Sequence, residues 1–202
     1  MKVAAVILAA GRSTRMGANK LVADVGGKPL IRRTVKAALA SRVRPVIVVS
    51  GHEAEKLAHV LAGLDVVWVR NPRHAEGLST SLIAGIVALP DETKAALICL
   101  GDMPLVRAAT LDAIIERFEK DPSVAAVVPA HAGEWGNPVL LSHKLFDRVT
   151  HLGGDLGARK LLQGRADVTV LEVDDPAILM DADTPQSLAE LRHRIGAPSG
   201  GR

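Results

Sequence analysis

Short, uninterrupted runs of apolar residues recur along the chain and are rich in Val, Ile and Leu. Strands that are buried on both faces of a sheet have this pattern, because neither face meets water. The runs predict strands at Val3–Leu8, Val46–Val49, Val66–Val69, Ala95–Leu100, Val124–Val128 and Val168–Val173.

Between these runs the apolar residues recur with helical spacing. Positions i, i+3, i+4 and i+7 form one face of a helix, and this spacing is shown by Leu111, Ile114, Ile115 and Phe118. A last helix is indicated by Leu188, Leu191 and Ile195. Its predicted N-cap is Thr184 and its predicted first residue is Pro185. Further helices are predicted at Pro29–Ala40, Glu53–Ala62 and Ser79–Leu89.

Strands and helices therefore alternate, which is typical of an α/β fold. Right-handed crossovers then give a mostly parallel, Rossmann-like sheet with helices on both faces. The length of 202 residues suits a single domain, expected to span residues 1–195, with residues 196–202 as a disordered tail. Ligands bind beyond the carboxyl ends of the strands in such sheets, so the loops there are the expected sites of chemistry.

Composition narrows the class of protein. Hydrophobic residues make up 48% and charged residues 23%, as in soluble globular proteins. Aromatic residues make up only 2% and the net charge is +3, so a surface that binds nucleic acid is not expected. No membrane span is predicted, and the apolar start lacks a signal-peptide cleavage motif, so we expect a cytoplasmic protein. Cys99 is the only cysteine, which excludes an intrachain disulfide.

The loop after the first predicted strand is rich in glycine and in basic residues. It reads Leu8-Ala-Ala-Gly-Arg-Ser-Thr-Arg-Met-Gly-Ala-Asn-Lys20. Gly11 and Gly17 allow the backbone to come close to a ligand, and phosphate oxygens suit the charged donors of Arg12, Arg15 and Lys20. The spacing matches neither a Walker A loop nor G-x-G-x-x-G. The loop predicts a phosphate site, with a solvated basic turn as the alternative.

Acidic residues follow the fourth predicted strand and precede the last predicted helix. Asp102 lies at the carboxyl end of a strand, where it is well placed to bind a hard cation. Asp181 and Asp183 are two residues apart in an extended segment, so their side chains point the same way. Capping of a helix is the alternative for each. With the basic loop, the three carboxylates predict a triphosphate–magnesium site held by Asp102 together with Asp181 or Asp183.

These motifs occur together in one known group of enzymes. LAAGRSTRMGANKL, GDMPLV and DADTP resemble the small MobA-like nucleotidyltransferases, and so do Arg70–Leu82, Gly136–Val139 and Gly154–Arg159, in the same order. The resemblance is greatest to molybdenum cofactor cytidylyltransferases. It implies the nucleotide-diphospho-sugar transferase fold and Mg²⁺-dependent transfer of CMP from CTP to the phosphate of molybdopterin, with release of pyrophosphate.

The resemblance also implies roles for individual residues. Lys20 and Arg15 would bind the triphosphate, while Asp102 would hold magnesium with Asp183; Lys20, Arg15 and Asp102 are the candidate catalytic residues. The nucleotide would be bound by Leu8, Ala9, Ala10, Gly11, Arg12, Gly17, Lys20, Asn71, Gly77, Ser79, Ser81 and Asp102. Guanylyl-transferring members usually carry glycine where this chain has Ala10, and the added methyl group favours CTP.

The acceptor is expected against the later half of the chain. Trp135 is the candidate for packing on a pterin and Asn137 for its polar edge, while Arg159 or Lys160 would hold its phosphate. Core packing and a solvated helix face are the alternatives. The acceptor phosphate is already an anion, so catalysis rests on positioning and charge neutralisation rather than on a nucleophile–histidine pair.

Two other functions stay open at this point. One is guanylyl or other nucleotidyl transfer to molybdopterin or to another phosphorylated metabolite. The other is a non-catalytic maturation protein that binds the nucleotide and the cofactor. If the protein transfers CMP to molybdopterin, the expected protein partner is a molybdoenzyme that receives the product.

Overall fold

A computed structural model describes residues 1–11, 19–155 and 157–196. Its centre is an eight-stranded sheet. The strands are β1 (Val3–Ala9), β2 (Val46–Ser50), β3 (Val67–Arg70), β4 (Ala95–Leu100), β5 (Ala126–His131), β6 (Glu134–Trp135), β7 (Val139–Ser142) and β8 (Val168–Glu172). All six strands predicted from the sequence are present; β4 has the predicted bounds, and the ends of the other five differ from the prediction by at most three residues.

The helices are α1 (Leu30–Ala40), α2 (Ala54–Val60), α3 (Leu78–Val87), α4 (Ala108–Lys120), α5 (Phe146–Thr150), α6 (Ala158–Leu162) and α7 (Pro185–Gly196). Helix α7 begins at Pro185 as predicted, and Thr184 caps it by accepting a hydrogen bond of 3.1 Å from the Ser187 amide. The helix ends at Gly196, the first residue of the expected tail. The rest of that tail lies outside the described residues.

Parallel pairing joins β3, β2, β1 and β4 in that order, which confirms the mostly parallel sheet. The sheet continues through β7, which is antiparallel to both β4 and β5. Strand β8 then runs parallel to β5, and β6 pairs with the end of β5. The carboxyl ends of β1 to β4 therefore share one edge, and the loops that follow them lie side by side.

Strands β6 and β7 were not predicted from the sequence. The turn between β5 and β6 consists of Ala132 and Gly133, both with positive φ, of 52° and 80°. Two-residue hairpin turns of this kind usually carry Asn-Gly or Asp-Gly, so the alanine removes the usual sequence signal. Helix α5 was also missed, because five residues are too few to show a helical period. The helix expected at Arg159 and Lys160 is present as α6.

Helices cover both faces of the sheet, as predicted. Strand β1 is buried along its whole length, and its side chains alternate between two clusters. Val3, Ala5 and Ile7 pack with residues of α1, α4 and α7, whereas Val6 and Leu8 pack with α3, α5 and α6. Cys99 lies in the first cluster, where burial raises the pKa of its thiol to about 12. Within the described residues, no helix has the length and apolarity needed to cross a membrane.

Candidate active site

Lys20 lies where three loops meet at the carboxyl edge of the sheet. Asn19 caps the single turn of 3₁₀ helix that carries Lys20 by accepting a hydrogen bond of 3.1 Å from the Leu21 amide. The Lys20 Nζ donates to Asp102 Oδ2 and to Asp183 Oδ1, at 2.5 Å in each case. The exposed fraction is 13% for the side chain of Lys20, 14% for Asp102 and 49% for Asp183. The structure thus brings together three residues that the sequence analysis assigned to one site.

The charges of this cluster shift two pKa values. Burial lowers the pKa of Lys20, but the attraction and hydrogen bonds of Asp102 and Asp183 outweigh it, so the pKa lies above its ordinary value. Lys20 is therefore charged at neutral pH. Burial, followed by the charges of Asp183 and Asp102, raises the pKa of Asp181. The shift means that a third carboxylate lies close enough to interact with the other two.

Asp102 is positioned by the residue before it. The Gly101 amide donates to the Leu8 carbonyl at 3.0 Å, and its own carbonyl accepts from Thr34 Oγ1 at 3.2 Å. A Cβ at this position would lie 2.9 Å from the Leu8 oxygen, so the close approach of β1 requires glycine. The Ala182 amide donates to the Asp102 carbonyl at 3.2 Å and joins the last loop to the other two.

The two carboxylates of Asp102 and Asp183 suit a magnesium ion. Mg²⁺ prefers oxygen ligands, and it is usually held by one or two carboxylates together with substrate phosphates and water. Within the described residues there is no group of three or more His, Cys, Asp or Glu arranged around a metal position. The donor set therefore fits an ion that takes its remaining ligands from a bound phosphate and water.

Asn71 is a structural residue of the segment assigned to the base. It is 3% exposed, and its Nδ2 donates to Thr80 Oγ1 at 2.9 Å and to Ser81 Oγ at 3.0 Å. Its Oδ1 accepts from the Arg73 amide at 2.9 Å. Both amide hydrogens of Asn71 are thus used within the protein. The side chain holds the turn between β3 and α3 together.

The start of α3 is closed by the loop around Gly154. The Ser79 amide donates to the Gly154 carbonyl at 3.1 Å, and Gly77, at a φ of 119°, lies so close that a Cβ there would overlap the same carbonyl. Ser79 and Ser81 are buried, and Ser79 Oγ has no hydrogen-bond partner among the described residues. The segment assigned to the nucleotide and the segment assigned to the acceptor therefore touch here.

The start of the glycine-rich loop is divided between buried and exposed residues. Leu8, Ala9 and Ala10 are buried and Gly11 is exposed, whereas Arg12, Arg15 and Gly17 lie outside the described residues. Ala10 is only 3% exposed, and a Cβ added at Gly51 would lie 2.8 Å from the Ala10 methyl. The methyl group packs beside the loop after β2. An effect of Ala10 on the choice of base would therefore act through these neighbours.

Two histidines that were not assigned to the site from the sequence lie beside Ala10. The rings of His52 and His74 lie 6.2 Å apart, and a Cβ added at Gly51 would come within 2.6 Å of His74 Cβ. His74 Nδ1 is buried without a partner among the described residues. No role was assigned to either histidine from the sequence. The available signal was position, since both follow strands that end at the same edge of the sheet.

The acceptor candidates lie together near β6. Trp135 is half-buried in this strand, and its carbonyl accepts a hydrogen bond from Arg159 on α6. Asn137 follows two residues later, and its amide donates to the Ile178 carbonyl at 2.9 Å. Arg159 and Lys160 are exposed. The structure thus brings Trp135 and Arg159 into contact, with Asn137 next to them in the chain.

Several proteins resemble this chain over nearly all of its length. The molybdenum cofactor cytidylyltransferase of Escherichia coli is 29% identical over 94% of this chain and 95% of its own. The crystal structure of Rv0371c from Mycobacterium tuberculosis superposes with a TM-score of 0.82 at 29% identity, covering 96% of this chain and 99% of that one. A second structure of Rv0371c is a complex with manganese, with a TM-score of 0.78.

The bifunctional protein GlmU of Carboxydothermus hydrogenoformans is 34% identical over 61% of this chain, but the match covers only 27% of GlmU. The fold, the loop motifs and these relatives define a domain of the NTP transferase type. The chain belongs to the family described as the MobA-like NTP transferase domain, whose sequence pattern matches residues 5–173.

We predict that Asn71→Ala lowers the free energy of unfolding by about 1–3 kcal/mol, because it leaves buried hydrogen-bonding groups without their partner. Urea denaturation followed by circular dichroism measures the change. Gln186→Ala, at an exposed position of α7, is the control and should unfold as the wild type does. Equal stability of Asn71→Ala and the control would show that the side chain does not hold this turn.

Proposed function

We propose that this nucleotidyltransferase uses Mg²⁺ and CTP and transfers CMP to the terminal phosphate of molybdopterin. The observation that carries the proposal is the cluster of Lys20, Asp102 and Asp183 at the carboxyl edge of the sheet, where ligands bind. A triphosphate bound with its metal needs a positive side chain for the phosphates and negative side chains for the metal ion. Similarity to the cytidylyltransferase of E. coli over 94% of this chain supports cytosine as the base and molybdopterin as the acceptor.

In this reaction an oxygen of the acceptor phosphate attacks the α-phosphorus of CTP. The new phosphorus–oxygen bond forms as the bond to the β-phosphate breaks, and pyrophosphate leaves with the charge. Asp102 and Asp183 would hold the magnesium ion, which neutralises charge on the phosphates. The ammonium group of Lys20 stabilises the leaving pyrophosphate. The acceptor oxygen is already ionised, so no side chain is needed to remove a proton from it.

A second acceptor class has some support. The match to GlmU over 61% of this chain favours nucleotidyl transfer to a different phosphorylated metabolite. The two functions share the nucleotide site and differ in the residues that face the acceptor. The product of the molybdopterin reaction would pass to a molybdoenzyme.

Pyrophosphate release from CTP, GTP, ATP and UTP, each with Mg²⁺ and molybdopterin, tests the proposed function. We expect the highest kcat/KM with CTP, and no release when molybdopterin is omitted. Release with GTP but not with CTP would contradict the choice of base. Release only with another phosphorylated acceptor would favour the second acceptor class, and tight binding of CTP without release would indicate a binding protein.

We predict that Asp102→Ala and Lys20→Ala each lower kcat by about 10²–10³, since each removes a preorganised charge from the transferred or leaving phosphates. The same pyrophosphate assay measures the loss. Asp65→Ala and Lys28→Ala remove exposed charges elsewhere and should leave kcat unchanged. Turnover close to wild type in Asp102→Ala would end the assignment of Asp102 to the metal.

For the acceptor, we propose that Trp135 packs on the pterin, that Asn137 contacts its polar edge and that Arg159 binds its phosphate. Trp135→Ala should therefore raise the KM for molybdopterin while the KM for CTP stays the same. Initial rates at saturating CTP measure this change. An unchanged KM for molybdopterin would contradict the assignment of Trp135.

A further inference from the structure

The Lys20 ammonium group occupies the space between the two carboxylates assigned to magnesium. Its Nζ lies 2.5 Å from Asp102 Oδ2 and 2.5 Å from Asp183 Oδ1. A magnesium ion holds its oxygen ligands at about 2.0–2.1 Å. An ion bound to both of these oxygens would therefore lie in contact with Nζ. The lysine and the metal require the same place.

Charge reinforces this steric conflict. A divalent cation and an ammonium group repel each other strongly at contact distance in a partly buried site, where the effective dielectric is lower than in water. The side chains of Lys20 and Asp102 are only 13% and 14% exposed, so water screens the repulsion poorly. Binding of the metal to both carboxylates thus requires the ammonium group to leave.

The structure also allows the lysine to move without its backbone. Asn19 caps the short helical turn, and Leu21, next to Lys20, is 4% exposed and anchored in the core. The lysine side chain is a compact charge on a flexible four-carbon stem, which can exchange one anionic partner for another. The oxygens of a bound triphosphate would supply that new partner.

We propose that Lys20 closes the metal position through its ion pairs with Asp102 and Asp183 until a nucleoside triphosphate draws it away, so that the divalent cation enters together with the nucleotide. The part that concerns the nucleotide rests on the proposed function. The competition between Lys20 and the cation rests only on the contacts of Lys20 with Asp102 and Asp183. In this role Lys20 is a gate to the metal position in addition to a phosphate ligand.

Binding of Mn²⁺ alone, followed by electron paramagnetic resonance of the free ion, tests the competition without any turnover. We expect Lys20→Met to bind Mn²⁺ at least tenfold more tightly than the wild type, because it removes the competing charge while keeping the length of the side chain. The gain should disappear in the double variant Lys20→Met/Asp102→Asn. Lys28→Met, which removes an exposed charge, should bind Mn²⁺ as the wild type does.

Lys20→Met leaves acidic groups facing one another and could destabilise the protein. A second variant, Lys20→Gln, is therefore tested beside it. Lys20→Gln keeps an amide donor for one carboxylate, and it should show the same gain in Mn²⁺ affinity. Mn²⁺ should also raise the melting temperature of both variants more than that of the wild type, since a ligand stabilises the state that binds it. Equal affinity of wild type and both variants would overturn the proposal, as would a gain that persists in the double variant.

A further measurement, with a nucleotide analogue present, distinguishes the competition for the metal position from the proposed function. Adding α,β-methylene CTP, which cannot release pyrophosphate, should tighten Mn²⁺ binding to the wild type about tenfold or more, because the triphosphate takes up Lys20 and adds its own oxygens. One outcome would count against the nucleotide site: the analogue leaves the Mn²⁺ affinity of the wild type unchanged, while the Lys20 variants still bind Mn²⁺ more tightly than the wild type. It would also overturn the nucleotide-dependent release, while the competition between Lys20 and the cation would stand.

Discussion

The ion pairs of Lys20 with Asp102 and Asp183 depend on one close backbone contact. Lys20 follows β1 and Asp102 follows β4, and the Gly101 amide binds the Leu8 carbonyl where these two parallel strands end. A side chain at residue 101 would press on that carbonyl and move the Asp102 loop away. The charged cluster therefore exists because β1 and β4 lie side by side and because glycine lets the following loop stay against β1. The hydrogen bond from Ala182 to Asp102 then adds the last loop.

The second half of the sheet serves a different purpose. Strand β7 is inserted antiparallel between β4 and β5, and the hairpin of β5 and β6 carries Trp135 to the contact with Arg159. The loop that leads to Arg159 also binds the start of α3 through Gly154 and Ser79. The segments assigned to nucleotide and acceptor thus share one boundary. Such a contact is what a transferase needs, because the two substrates must meet in a single orientation for in-line attack.

The sequence predicted the parallel half of the fold better than the antiparallel half, and for a physical reason. Strands such as β1 and β4 are buried on both faces, and their continuous apolar runs are visible in the sequence. The hairpin turn at Ala132 and Gly133 lacks the residues that usually announce it. The sequence also placed Lys20, Asp102 and Asp183 in one site, since they follow or precede predicted elements at one edge. The sequence does not reveal that both amide hydrogens of Asn71 are donated to other side chains of the protein.

The same limit applies to Lys20. A lysine in a glycine-rich loop predicts contact with phosphate. Only the structure shows that its ammonium group lies between the carboxylates of a predicted metal site. Lysine suits both positions because its charge is compact and its stem is flexible. An arginine here would form planar, paired hydrogen bonds with one carboxylate and would be harder to release. The proposed exchange between carboxylate and phosphate partners would therefore account for a lysine at this position, in a loop that also carries Arg12 and Arg15.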